Sequence, residues 1–274
     1  MSLTKTQTLA LLNDAELKPK RKFGQNFVVD ANTLKRIVRL ADVNEGSSVL
    51  EVGAGLGALT EALLSTGAKI SSLEVDPDLL AILRSRPELR RARLIEGDAL
   101  SIEIEELAPS EEGPWTVVAN LPYNVATPVI LRFLEEAPQI ERMLIMIQAE
   151  VGERLAAHPG DDAYGAVSVR VDYHAVAKVV GRVPPTVFVP QPNVDSVRVA
   201  IVRRPQPAVD PAMASEGAIF ALVRQAFSQR RKMLRRSLSG LVTEEAFAAA
   251  EVAPTARPEE LDVTAFGRIA AAIR

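Results

Sequence analysis

The 274-residue sequence predicts an α/β protein, an open sheet with helices on both faces, followed by a small domain built only from helices. Three observations carry that expectation. Short apolar runs of strand type alternate with helix-type stretches over the first two-thirds of the chain. A glycine-rich turn, EVGAGLGALT (51–60), joins one such strand to a helix. After PQPAVDP (205–211), with three prolines in seven residues, the pattern is purely helical. The division is expected between 1–205 and 206–274, with the proline-rich stretch as a linker.

VLEVG (49–53) reads as the first strand of the sheet, with a helix starting near Leu56. KISSLEV (69–75) is the next, and Asp76-Pro77 behind it is an N-cap with proline at the first helical position. ARLIEG (92–97) and WTVVAN (115–120) follow as strands. RMLIMIQAE (142–150) is another, running into a helix from Glu150 to Ala157. AVAKVVGRV and SVRVAIVRR are expected as a final antiparallel pair at one edge. AIFALVRQAF, TEEAFAAAE and VTAFGRIAAAIR supply the helical domain, and the acidic stretch 103–112 is expected as a solvated helix face and loop.

Composition narrows the function. The chain has no cysteine, which excludes disulfides, thiolate nucleophiles and cysteine-ligated zinc. His158 and His174 have no metal-ligand spacing and are expected as surface or packing residues, so no metal is expected. A formal net charge of −3 means that any binding to nucleic acid must come from local clusters. The N-terminal stretch carries Asp14 and Glu16 and only a short LALL run, and no apolar run approaches membrane length. A cytoplasmic protein is expected.

The glycine turn is a ligand cradle, since Gly53, Gly55 and Gly57 let a ligand lie against bare backbone. Gly53-x-Gly55-x-x-Ala58, with Glu74 about 20 residues on, also fits a dinucleotide fingerprint, so a nicotinamide-dependent dehydrogenase is a rival on this loop alone. Three features favour another ligand. Glu51 sits where a pyrophosphate would meet a carboxylate, a charge that a sulfonium ligand with an ammonium group would prefer. Asp98 ends the third strand, where it can accept from the exocyclic amine of an adenine. The loop lacks the Lys-Ser/Thr of a triphosphate site. Carboxylates at three strand ends suit S-adenosylmethionine, one near its amino-acid part, one on the ribose and one on the base.

Asn120-Leu121-Pro122-Tyr123 emerges at the same edge. Methylating an exocyclic amine means turning a ring-delocalised lone pair toward the methyl group. An amide oxygen and a backbone carbonyl that accept the two N–H hydrogens orient that nitrogen, proline fixes the backbone, and Tyr123 offers a stacking face. Most of the gain would then come from in-line positioning. Taken alone, without the carboxylates, the tetrapeptide reads better as a strand-to-helix turn.

With VLEVGAGLGALT, LEVDPDL, IEGDAL and NLPY in this order, the chain resembles the class I, S-adenosylmethionine-dependent rRNA adenine N6-dimethyltransferases. More closely it resembles the KsgA/RsmA branch, which dimethylates two adjacent adenosines near the 3′ end of small-subunit rRNA. KFGQNFVVD (22–30) is similar to that family's N-terminal motif, PPTVFVPQPNVDSVRV (184–199) to its post-catalytic loop, and RQAFSQRRKMLRRSL (224–238) to its C-terminal signature. The resemblance covers nearly the whole chain and implies a Rossmann-like methyltransferase domain at 1–205 and an RNA-binding helical domain at 206–274. It further implies that Asn26 and the backbone of Val28 meet the cofactor beside Gly53 and Gly55. Glu74 would hold the ribose, Asp98 the adenine, and Asn120 both cofactor and target base. Leu121 and Pro122 would frame that base, and Tyr123 and Phe188 would sandwich it. Val28 stands where the family usually has leucine, and Ala54 where it commonly has proline.

Two basic clusters point to the partner. Lys18 to Lys22 contains Lys20, Arg21 and Lys22, and 223–240 contains Arg224, Arg230, Arg231, Lys232, Arg235 and Arg236 without an acid. Read as charge alone, the second is as compatible with a solvated helix face as with RNA. Helical residues 230, 231, 234, 235 and 238 cannot share one face, so some of these arginines are expected to pair internally. The expected partner is small-subunit rRNA in an assembling ribosomal subunit, met by a monomer. Rival readings are the antibiotic-resistance type of large-subunit adenine methyltransferase and a non-catalytic RNA-binding factor on the same scaffold.

Overall fold

The structure is a computed structural model describing residues 3–109 and 113–273; the side chain of Arg21, and Glu111 and Glu112 of the acidic stretch, lie outside the described residues. The chain forms two compact units, Met1–Gly152 with Lys178–Val202, and Glu153–Ala177 with Arg203–Arg274.

In chain order the elements are α1 (Lys5–Asp14), β1 (Phe27–Val28), α2 (Ala31–Ala41), β2 (Ser48–Val52), α3 (Ala58–Leu64), β3 (Lys69–Glu74), α4 (Pro77–Ser85), β4 (Arg93–Glu96), β5 (Trp115–Asn120), α5 (Ala126–Glu136) and β6 (Ile140–Gln148). Then come α6 (Ala149–Leu155), α7 (Ala166–His174), β7 (Ala175–Val183), β8 (Phe188–Val189), β9 (Ser196–Arg203), α8 (Glu216–Phe227), α9 (Leu234–Ser237), α10 (Glu244–Ala249) and α11 (Val263–Ala272). The main sheet has seven strands in the order β4-β3-β2-β5-β6-β9-β7. The predicted last pair are neighbours at its edge, and β9 runs antiparallel to β6. β4 through β6 are parallel neighbours, as the continuous apolar runs of doubly covered strands require.

Registers Val52↔Leu73 and Val52↔Ala119 bring the carboxyl ends of β2, β3 and β5 to one edge. From β2 the chain winds outward through β3 and β4, then returns to lay β5 on the other side of β2. That reversal is the switch point where open α/β sheets hold ligands. Asp76 accepts from the Asp78 N–H (3.2 Å) with Pro77 behind it, so the predicted cap of α4 is present. In 103–112 the solvated face is half the pattern: Glu105 and Glu106 are exposed, but Ile104 and Leu107 are buried.

The helical unit departs from a single cut at 205/206. Residues 153–177 belong to it because α7 and the turn before it place Tyr164, Val169 and Tyr173 in the same core as Phe220, Phe247 and Phe266. The proline-rich stretch is packed rather than a free linker. Val209 is buried, lies where a Cβ on Gly267 would be only 2.7 Å away, and the Ala208 N–H donates to the Tyr173 carbonyl. No helix among the described residues is long and apolar enough to cross a membrane.

Candidate active site

At the switch point the chain leaves β2 through the glycine turn. Gly55 has φ +60°, and a Cβ there would lie 3.2 Å from the Phe27 ring, so glycine is required on both grounds. The Gly55 N–H donates to Glu74 Oε2 (2.7 Å) and the Asp76 N–H to Glu74 Oε1 (3.0 Å), tying the turn to the end of β3. Glu74 is 5% exposed, and burial pushes its carboxyl above the usual range against those two hydrogen bonds. Each oxygen retains a lone-pair site for a further donor.

Around this turn lies a cavity of about 90 Å³ walled by Asn26, Val28, Gly53, Gly55, Glu74 and the run Asn120 to Tyr123. The residues expected to meet the cofactor are gathered there, apart from Asp98 and Glu51. Asp98 lines an adjoining cavity of about 240 Å³ that shares Phe23, Gly53, Val75 and Pro122 with the first. Its Oδ1 accepts from the Leu100 N–H (2.9 Å), which leaves Oδ2 as an acceptor.

Glu51 is elsewhere. It is fully buried, its Oε2 accepts from the hydroxyls of Thr60 and Ser72 (2.6 Å each), and it lines neither cavity. Strand alternation explains this: in register with Ser72 and Val118, Glu51 points into the layer beneath α3. Burial pushes its carboxyl up to about 7 against those two hydroxyls, and Oε1 has no partner among the described residues. The expected electrostatic discrimination by a fully charged Glu51 facing the ligand is therefore not what the fold provides; Glu74 is the carboxylate that faces it.

The fourth strand end is held from three sides. Asn120 Nδ2 donates to the Asn26 carbonyl (3.0 Å), which turns the amide so that Oδ1 is its unspent acceptor. The Leu121 N–H donates to Met146 (3.1 Å), and the Pro122 carbonyl accepts from the Val125 and Ala126 N–H groups at the start of α5. Among the described residues no donor meets the Leu121 carbonyl, so it is this carbonyl that proline leaves fixed beside Asn120. The Tyr123 hydroxyl is 2.9 Å from Ser196 Oγ, and burial raises its pKa. Ser196, fully buried on β9, carries no sequence signal for this contact because it is 73 residues away.

Phe188, expected to sandwich the base with Tyr123, is not among the residues that wall either cavity. It is 3% exposed in β8, pairs with Val28 of β1, and packs in the core that includes Phe27 and Val183. An apolar ring within an apolar strand pair gains more from burial than from an open pocket wall.

The basic clusters also divide. Lys20 Nζ donates to Asp76 Oδ1 (2.7 Å) and Asp78 Oδ2 (2.6 Å), while Lys22 is exposed with Nζ 4.5 Å from the centre of the Phe23 ring. Arg230 donates to Glu259 (2.7 Å) and to the Asp162 carbonyl, giving the internal pairing expected of part of the cluster. Arg231 and Lys232, in the turn after α8, are exposed and have no ion pair among the described residues.

Comparison with known proteins shows similarity over nearly the whole chain. The family model for ribosomal RNA adenine dimethylase matches residues 16–273. The chain is 43% identical to the ribosomal RNA small subunit methyltransferase A of Streptomyces griseus, covering 98% of this chain and 97% of that one. It is 45% identical to the protein of the same name from Pseudomonas aeruginosa, over 92% and 94%. Among solved structures, a dimethyladenosine transferase from Plasmodium falciparum superposes with a TM-score of 0.72 at 22% identity, over 89% and 95%, and 23S rRNA methyltransferase ErmE with 0.69 at 24%, over 90% and 99%. The fold is that of the class I methyltransferases, and with the family model spanning nearly its whole length the chain belongs to the ribosomal RNA adenine dimethylase family.

Proposed function

We propose that the protein dimethylates the N6 amines of two adjacent adenosines near the 3′ end of small-subunit rRNA, with S-adenosylmethionine as donor, during subunit assembly. The observation that carries this reading is the held amide of Asn120, with its oxygen unspent, at one edge with Glu74 and Asp98.

The residues fit such a donor. Gly53 and Gly55 leave bare backbone, Glu74 has acceptor capacity for ribose hydroxyls, and Asp98 Oδ2 can accept from an adenine amine. Asn26 and Val28 complete the wall. The donor supplies a methyl group on a positively charged sulfur. The chain supplies position: Asn120 Oδ1 and the Leu121 carbonyl accept the two N–H hydrogens of the target amine and leave its lone pair facing the methyl. Pro122 keeps that carbonyl from rotating, and Tyr123 stacks on the base, its hydroxyl tethered by Ser196. Phe188 backs this wall from the core. No side chain need abstract a proton before transfer, since the amine becomes acidic once the N–C bond forms.

Lys22, Arg231 and Lys232 are the exposed cations we assign to RNA phosphates, with the helical unit as an RNA-binding element; Arg21 lies beside Lys22 in sequence, and Lys20 and Arg230, held in internal pairs, are not assigned to RNA. We further propose a monomeric, metal-free enzyme of the cytoplasm. Mapping methylated nucleotides in unmodified ribosomal subunits treated with the purified protein tests the reading. Dimethyladenosine at two adjacent positions in small-subunit rRNA is expected, and label confined to large-subunit RNA overturns it.

A further inference from the structure

The segment from Pro19 to Val28 lies against the cavity, and Gly24 to Val28 wall it together with Leu3 and Thr8 from the first helix region. The cavity left, about 90 Å³, is well below the ~300 Å³ at the small end of ligand pockets. Gly24 to Val28 thus bound part of the space a nucleoside-sized molecule would fill together with the adjoining cavity at Asp98, and movement of this segment would widen it.

Beside the tie between Asn120 and Asn26 and the pairing of β1 with β8, the segment is fastened by one small polar cluster. Lys20 Nζ donates to Asp76 Oδ1 (2.7 Å) and Asp78 Oδ2 (2.6 Å), and Gln25 Nε2 donates to Asp76 Oδ2 (2.8 Å). Gln25 Oε1 accepts from the Lys20 N–H (2.7 Å), so the two side chains brace each other before they reach Asp76. Asp76 is 1% exposed, and its own N–H donates to Glu74 Oε1. The fastening is thus a single residue removed from the carboxylate that faces the ligand. The two ends of the cluster differ: Asp76 is buried, but the side chains of Lys20 and Asp78 are 30% and 52% exposed, so water can replace half of the contacts when they part. Gly24, at φ +58°, supplies a backbone turn beside the clasp, where an added Cβ would lie only 3.1 Å from Pro122 Cβ.

We infer that Lys20, Gln25 and Asp76 are positioning residues, a clasp that holds residues 19–28 closed over the methyl donor and sets how fast it exchanges. The inference rests on the reading that this cavity takes S-adenosylmethionine. None of the three touches the reacting atoms; they act through the wall residues Asn26 and Val28 and through Glu74.

Lys20→Met in the full-length protein tests it, with radiolabelled S-adenosylmethionine as probe. The dissociation rate and Kd should both rise ~10-fold, the scale of one lost charge-assisted hydrogen-bond pair at a half-exposed site. Turnover at saturating donor should change less than about 2-fold, as expected when only donor retention is weakened. Tryptic cleavage after Lys22 should accelerate while the melting temperature stays within about 2 °C, because the segment's apolar anchors Phe27 and Val28 remain buried. Lys20→Arg should recover most of the slow exchange. If the variant binds the donor with unchanged dissociation rate and proteolysis, the cluster is a static staple and the inference fails. If the unaltered protein binds no donor at all, the underlying reading fails instead.

Discussion

The two units differ in the titratable groups they bury. Beside the cations Arg86 and Arg198, the sheet unit encloses Glu74 and Asp76 at the end of β3 and Glu51 beneath α3, each acid at most 5% exposed. The helical unit encloses a base, His174, whose pKa is driven down to about 4 by burial and by the charges of Arg203 and Arg170. In the sheet unit Lys20 is consumed by carboxylates, whereas in the helical unit Arg231 and Lys232 stand exposed in a stretch from 223 to 240 that contains no acid. A near-neutral chain can therefore hold local concentrations of both signs of charge. Net charge conceals both.

The comparison is sharpened most by Asn120→Ala. It removes an acceptor of the target amine and also the tie to Asn26, and methyl transfer should drop by about 100- to 1,000-fold, on the scale of losing one preorganised polar contact to a reacting group. RNA affinity measured by filter binding should stay within about 2-fold if recognition belongs to basic surface contacts. Equal loss of both would dissolve the division of labour.

Acid and base burial should also separate by pH. Glu51 has a folded pKa of about 7 against an ordinary 4.5, so the folded state holds its proton longer than the unfolded one. Stability from this group is therefore full below pH 4.5 and falls by about 3 kcal/mol as pH rises to 7. Glu51→Gln should flatten that decline in urea denaturation series at pH 5 and 8, provided the amide keeps accepting from Thr60 or Ser72. His174 has the opposite sign. Its folded pKa, about 4 against 6.5, means the unfolded state takes the proton first, so stability is lost as pH falls from 6.5 to 4. His174→Phe should remove that acid-side loss, worth less than about 3 kcal/mol, and leave the slope above pH 7 unchanged. A variant that alters the alkaline limb would show that the two burials are not independent.

Much of this was legible in the sequence because it is written locally. Strand runs, the Asp76-Pro77 cap and the glycine turn depend on neighbours a few residues apart, and so does Asn120-Leu121-Pro122-Tyr123 as the end of β5. What escaped depends on distant partners. Lys20 reads as a phosphate ligand until Asp76, 56 residues on, takes it. Glu51 reads as a ligand carboxylate until strand alternation turns it toward Thr60 and Ser72. The cut at 205/206 misses residues 153–177 because α7 buries its apolar side chains among helices that come later in the chain. The proline-rich stretch has the composition of a linker, yet Gly267 lacks the side chain that would keep Val209 out.

The smallest expected effect distinguishes cations that meet phosphate from cations that meet protein. Arg231→Ala and Lys232→Ala should each weaken RNA binding about equally on any RNA sequence and lower the slope of log K against log salt by about 1, since one released counterion is lost with each contact. Arg230→Ala is the internal control within the same stretch. Its guanidinium is engaged by Glu259 and the Asp162 carbonyl, so removing it should leave the salt slope unchanged while costing the helical unit a fraction of a kcal/mol to about 1 kcal/mol, the range of a partly exposed pair. Salt titrations of the three variants side by side give the answer. A slope that falls for Arg230→Ala and holds for its two neighbours would invert the assignment, and place the RNA contact on a residue that must first leave Glu259 to make it.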